Sequence, residues 1–181
     1  MKKTAIALIT LIICLGMQTP NFDQIKVSND IKKSFITYAM SHPLHSWTAV
    51  NKNVSSVILC DEQKQKITQV AVVTKVASID SQNANRDSHT IEVTEALKYP
   101  KLTFQSSSIE QEGEKLRVNG TLSFHGVSKN ITFLAYRKQH NNGIEVTGSF
   151  TVTMTEFNIE PPTLMGISTE DWIKITFDIF Y

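Results

Sequence analysis

The stretch Gly143–Thr155, GIEVTGSFTVTMT, decides how this chain folds. Ile144, Val146, Gly148, Phe150, Val152 and Met154 are apolar or small. The residues between them, Glu145, Thr147, Ser149, Thr151, Thr153 and Thr155, are polar. Strict alternation is the signature of a β-strand with one face buried and the other in water, because successive side chains of a strand point to opposite faces. Wound at 3.6 residues per turn, the same residues would be scattered around every side of a helix. Two further stretches repeat the pattern. Lys115–Phe124 places Leu116, Val118, Gly120, Leu122 and Phe124 on one face, and Asp171–Phe180 groups Ile173, Ile175, Phe177 and Ile179.

Composition agrees with the strands. Val, Ile and Thr supply 51 of the 181 residues, and such β-branched side chains fit pleated surfaces better than helices. With 41% apolar and 19% charged residues, the chain can bury a core and is far from disordered composition. The 18 basic and 17 acidic side chains leave a formal net charge of +1, without the basic stripe that nucleic acid binding requires, so no nucleic acid partner is expected.

Further strands are expected over Ser34–Met40, Asn53–Cys60, Lys66–Ser78, Lys101–Ile109 and Lys129–Tyr136, eight in all. The breaks at Asp61–Gln65, Glu110–Glu114 and His140–Gly143 are short enough for antiparallel hairpins. One helix is expected, over Asp87–Leu97, capped by Asp87 or Ser88 and ended by Tyr99–Pro100. Its apolar face would be Ile91, Thr94 or Glu95, and Leu97. Eight antiparallel strands with one apolar side must hide both that side and their edges. The fold that does so is an all-β, eight-stranded up-and-down lipocalin-like barrel, with the helix between strands three and four.

The N-terminus is of a different kind. Lys2 and Lys3 precede the apolar run Ala5–Leu15, AIALITLIICL, which is short for a membrane span and suits a secretory signal. Cleavage is placed after Gly16, which makes 1–16 a signal peptide and predicts a periplasmic or secreted protein of bacterial type. Lipid anchoring at Cys14 is the lesser alternative, since the bulky Ile13 occupies a position that such signals reserve for a small residue. Residues 17–33 are polar and aperiodic and read as a loose leader or short helix, followed by one barrel domain over 34–181. After cleavage Cys60 has no intrachain partner. Beside Asp61, and with no nearby cation to activate it, it is read as structural.

Four segments also carry a family resemblance: Val76–Ser81 (VASIDS), Asn85–His89 (NRDSH), Tyr99–Ser106 (YPKLTFQS) and Gly120–Lys129 (GTLSFHGVSK). In order and spacing they resemble the YceI family, over about Ser34 to Tyr181. The resemblance implies a secreted lipocalin-like barrel whose apolar interior takes a polyisoprenoid or another amphiphilic lipid, and it brings no catalytic residues. Two places depart from the family pattern. His45–Ser46 is embedded in Ser41–Trp47, and Met154–Pro162 lacks the arginine of the family's Arg-Ser-Asp-Phe-Gly-type segment.

The expected ligand-binding lumen is therefore the inward row Leu116, Val118, Leu122, Phe124, Ile144, Val146, Phe150, Val152, Met154, Ile173, Ile175, Phe177 and Ile179. Arg86 and Asp87 are expected to serve structure, as an ion pair and helix N-cap. His42, His45 and His125 offer an alternative, a metal-binding protein or metal-dependent enzyme on the same barrel. Pro43 within the His42–His45 spacing and the turn-like His125–Gly126 speak against it. No phosphate loop, nucleophile elbow or His-Glu-x-x-His is present, so neither enzyme activity nor a cofactor is expected. The expected partner is a small lipid, with transient membrane contact and homodimerisation as compatible additions.

Overall fold

A computed structural model describes residues 24–61 and 63–181; the expected signal peptide and Cys14 lie outside the described residues. The strands are β1 (Gln24–Ser28), β2 (Phe35–His42), β3 (His45–Asn51), β4 (Val54–Asp61), β5 (Ile67–Lys75) and β6 (Ile79–Asp80). After the helix α1 (Ala84–Val93) come β7 (Lys101–Glu112), β8 (Lys115–Phe124), β9 (Val127–His140), β10 (Gly143–Thr153), β11 (Thr163–Leu164), β12 (Ile167–Ser168) and β13 (Trp172–Phe180). All pairings are antiparallel. Eleven strands form one sheet in the order β1-β4-β5-β7-β8-β9-β10-β13-β2-β3-β6, and β11 and β12 form a separate hairpin.

That count differs from the expected eight because three long strands are each broken in two. β3 runs into β4 across Lys52–Asn53, and β5 reaches β6 through a 3₁₀ turn at Val76–Ser78. The β4·β5 pair near one end of the sheet therefore continues as the β3·β6 pair at the other end, and the sheet closes on itself. β1 and β2 are likewise two parts of one strand, lying against β4 and β3 in turn. Counted as whole strands, eight surround the barrel, with α1 between the third and fourth.

Polar side chains carry the ladder across the breaks. Asn29 donates from Nδ2 to Val54 O and accepts from Ser56 N–H, as a strand backbone would. Asn51 does the same at the second break, donating to Lys75 O and accepting from Asn53 N–H. Ser34 Oγ donates to Asp30 O and accepts from Phe180 N–H. Buried backbone groups need such partners wherever a strand bends away from its neighbour. Gln24–Ser28, expected to be leader, thus belong to the barrel wall, and 29–33 form the turn that joins them to β2.

The helix also differs in its bounds. Asn83 is its N-cap, accepting from Arg86 N–H at 3.1 Å, and Asp87 falls in the first turn. It ends at Val93, and Glu95 at φ +43° turns the chain left-handed, which breaks the helical ladder. Leu97, expected on the buried face, is 95% exposed as a consequence.

Candidate functional site

Inside the barrel is a cavity of about 440 Å³, within the usual range for small-molecule sites. All the residues expected in the inward row line it except Ile144. That residue is buried but engaged at the barrel end, where it exchanges backbone hydrogen bonds with Tyr181. At the centre stand four phenylalanines. Phe133 stacks on Phe150 at 5.0 Å between ring centroids, meets Phe177 edge-on at 5.7 Å and lies 5.3 Å from Phe104. Two glycines make room for them. A Cβ on Gly120 would lie 2.5 Å from the Phe104 ring, and one on Gly148 2.5 Å from the Phe177 ring.

The ends of the cavity are unlike. Towards the start of β5 and the end of β13, Ile58, Ile67, Leu116 and Ile179 are almost fully buried. Arg137 donates there to Lys64 O and Gln139 Oε1, and the Tyr181 hydroxyl hydrogen-bonds Ser56 Oγ. Burial pushes the Tyr181 phenol far above its ordinary value. The other end is ringed by α1, the β2–β3 turn and the β11–β12 hairpin. There the lining includes Arg86, His89 and Thr90 from α1, Tyr38 and His42 from β2, His45 and Trp47 from β3, and Leu164. His45, His89 and Leu164 are exposed, which identifies this end as the mouth.

Arg86 and Asp87 do not form the expected ion pair. The Asp87 carboxylate accepts from Ser81 N–H, and the Arg86 guanidinium lies over the Trp47 ring at 5.3 Å. The alternative metal set is not assembled either: among the described residues no three His, Cys, Asp or Glu side chains come together as ligands would. His42 and His45 face each other across the β2–β3 hairpin, but His42 Nδ1 accepts from Leu44 N–H and Nε2 therefore donates to Ile167 O. Neither nitrogen keeps a free lone pair. His125 turns Nδ1 to Phe157 O and Nε2 to Glu95 Oε2, tying the end of the helical segment to the barrel rim. Cys60 is fully buried, and burial pushes its thiol up, which suits a structural residue.

The barrel, its lumen and the helix at its mouth can be set against known proteins. A family model described as the YceI-like domain matches residues 28–181. The chain belongs to the YceI-like family. Protein YceI of Salmonella newport is 29% identical over 113 residues, 61% of this chain and 59% of that protein, so the match spans about three-fifths of the relative's length. Among solved structures, Burkholderia cenocepacia BcnA has a TM-score of 0.75 at 21% identity, covering 84% of this chain and 99% of that one. A polyisoprenoid binding domain from Saccharophagus degradans, implicated in plant cell wall breakdown, has a TM-score of 0.70 at 16% identity, covering 89% and 98%. At those identities both show the shared fold.

Within this YceI-like barrel, sequence reading missed the lining from β2, β3, β5 and β7, including Tyr38, Trp47, Val72 and Phe104, and also Phe133 from β9. The parity of Lys129–Tyr136 would have placed Phe133 inward with Ile131 and Ala135. Nothing local could have done the same throughout β7, where the register slips between Ser106 and Ser108 and exchanges the two faces.

Proposed function

We propose that this protein binds, and carries or sequesters, a polyisoprenoid or similar amphiphilic lipid in its lumen, in a bacterial periplasm or outside the cell. The observation that carries the reading is the apolar cavity, closed at one end and open at the other, with four phenylalanine rings clustered at its centre. The polyisoprenoid binding named for the Saccharophagus degradans domain supports it. Burial of apolar surface contributes roughly 25 cal/mol per Å² removed from water, so a few isoprene units supply several kcal/mol against association costs without a charged anchor. The exposed apolar residues Leu44, Leu164, Met165 and Ile167 beside the mouth support transient membrane contact during loading.

Mass spectrometry of an organic extract of the purified mature protein tests this directly. The expected result is an isoprenoid or similar lipid at near one per chain. A protein that yields no lipid, and takes up none from vesicles, would overturn the reading. Intact-mass analysis of the same sample tests export: the expected chain begins near residue 17, and a chain still starting at Met1 inside the cytoplasm would sink that part.

A further inference from the structure

At the mouth the lining includes Arg86, His42, His45 and His89, and three lining residues, Tyr38, Trp47 and Thr169, each carry a buried polar atom without a hydrogen-bond partner. Those of Tyr38 and Trp47, Oη and Nε1, are neighbours. Both residues line the cavity, Tyr38 opposite Ala49 and Trp47 opposite Met40 in the β2·β3 register, so the two rings lie diagonally on one face. Thr90 Oγ1 and Trp47 Nε1 both lie near the phenol oxygen but fall short of well-formed hydrogen bonds to it; Thr90 donates to Arg86 O and keeps an acceptor lone pair towards the phenol. The indole N–H can only donate, so an acceptor alone satisfies it. Buried polar groups are almost always paired, which makes a phenol that can donate or accept and an indole that can only donate, side by side in one cavity and neither in a well-formed hydrogen bond, a feature that calls for a partner.

The geometry points to a docking point for the head of the ligand: Tyr38 Oη and Trp47 Nε1, beneath α1, receive an uncharged oxygen acceptor, a carbonyl or hydroxyl, while the apolar tail runs past the phenylalanines to the closed end. The inference rests on the lipid-binding reading and adds to it both the chemistry of the head and its direction. Charge favours an uncharged head. Among the described lining residues Arg86 is the one permanent cation and no lysine is present. Of the three histidines there, His42 is neutral with both nitrogens hydrogen-bonded, His89 lies beside Glu92 and only His45 is left, while Arg86 is spread over the Trp47 ring with Asp87 next to it in α1. A diphosphate, which is held by several cations or bidentate arginines, finds no such set here.

The test uses three probes of equal chain length: a twenty-carbon prenyl alcohol, its diphosphate and the corresponding hydrocarbon. With the lipid-stripped full-length mature protein, the alcohol is expected to bind about tenfold more tightly than the hydrocarbon and more tightly than the diphosphate. Tyr38→Phe removes one oxygen and keeps the ring; it should lower alcohol affinity several-fold and should not lower hydrocarbon affinity, since a hydrocarbon gains nothing from the hydroxyl. A second readout needs no variant. Of the two tryptophans, Trp47 alone should show its indole N–H proton resonance move downfield on adding the alcohol, and stay in place with the hydrocarbon. Equal affinity for alcohol and hydrocarbon, preference for the diphosphate, or an unmoved Trp47 resonance would each overturn the docking point while leaving lipid binding intact. Failure of all three probes to bind would remove lipid binding and the docking point together.

Discussion

The two ends of this barrel are made of the same strands and do opposite things. At the closed end, Ile58, Ile67, Leu116 and Ile179 come from four strands and pack to near-complete burial, with Arg137 and Tyr181 hydrogen-bonded among them. At the mouth the strands give way to α1 and the β11–β12 hairpin, neither of which completes the sheet. There exposed side chains such as His45, His89 and Leu164 reach the opening beside buried ones such as His42, and apolar residues reach solvent. A sheet closed by hydrogen bonds can be sealed by side chains alone, as the closed end is. An opening needs elements that stand on the barrel without joining its ladder, and the mouth is built from those.

The strongest way to break this contrast is to place a charge at the closed end. Leu116→Asp leaves a carboxylate among apolar side chains and is expected to cost about 4 kcal/mol or more, measured by chemical denaturation. A loss below about 1 kcal/mol would mean that this end is wetter than its packing implies.

Filling the lumen comes next. Val152→Phe adds volume against the cavity at a cost of roughly 1 to 3 kcal/mol, and the folded variant should lose or shorten its bound lipid. Thr151→Phe, on the exposed face of the same strand, is the control and should keep it. Retention of the same lipid in the same amount by Val152→Phe would mean that the ligand lies elsewhere.

Alkaline pH probes the closed end more gently. Below the ordinary tyrosine value of 10.0, Tyr181 keeps its proton in both the folded and unfolded chain. Above it the unfolded chain releases the proton first, because burial holds the folded value higher, so stability falls as pH rises, by up to about 1.4 kcal/mol per unit. Tyr181→Phe should flatten the slope of stability against pH between about 10 and 11. An unchanged slope would show that water reaches this hydroxyl.

The smallest effect on stability is expected at the rim. Leu44 and Met165 are 61% and 86% exposed. Replacing both by Ser should alter stability by no more than about 0.5 kcal/mol. The same change should slow lipid uptake from vesicles, followed by fluorescence transfer; uptake at the wild-type rate would detach the rim from loading.

The regular strands were legible because their alternation is local. Gly143–Thr153, Lys115–Phe124 and Trp172–Phe180 nearly coincide with the stretches read from side-chain parity, and twelve of the thirteen expected lumen residues line the cavity. The mouth was hardly legible. β1 was missed because 17–33 is polar and aperiodic, and β3 because Ser41–Trp47 shows no alternation; Asn29, Asn51 and Ser34 stand in for backbone where these strands bend. The helix start slipped by one turn because Asn83, Asp87 and Ser88 are all acceptable caps, and only the path of the chain out of β6 selects Asn83.

By itself, then, the amino-acid order determined the face that each long strand presents and the need to close those faces into a barrel, since period-two alternation and unpaired edges are properties of neighbouring residues. Only the tertiary structure decided where the strands break, which end of the lumen is sealed, and that Tyr38, Trp47 and Arg86 meet at the opening. Those outcomes depend on bends, register shifts and a helix laid across strands distant in sequence. Which side chains come into contact there is set by the closed sheet as a whole and by no single stretch of the chain.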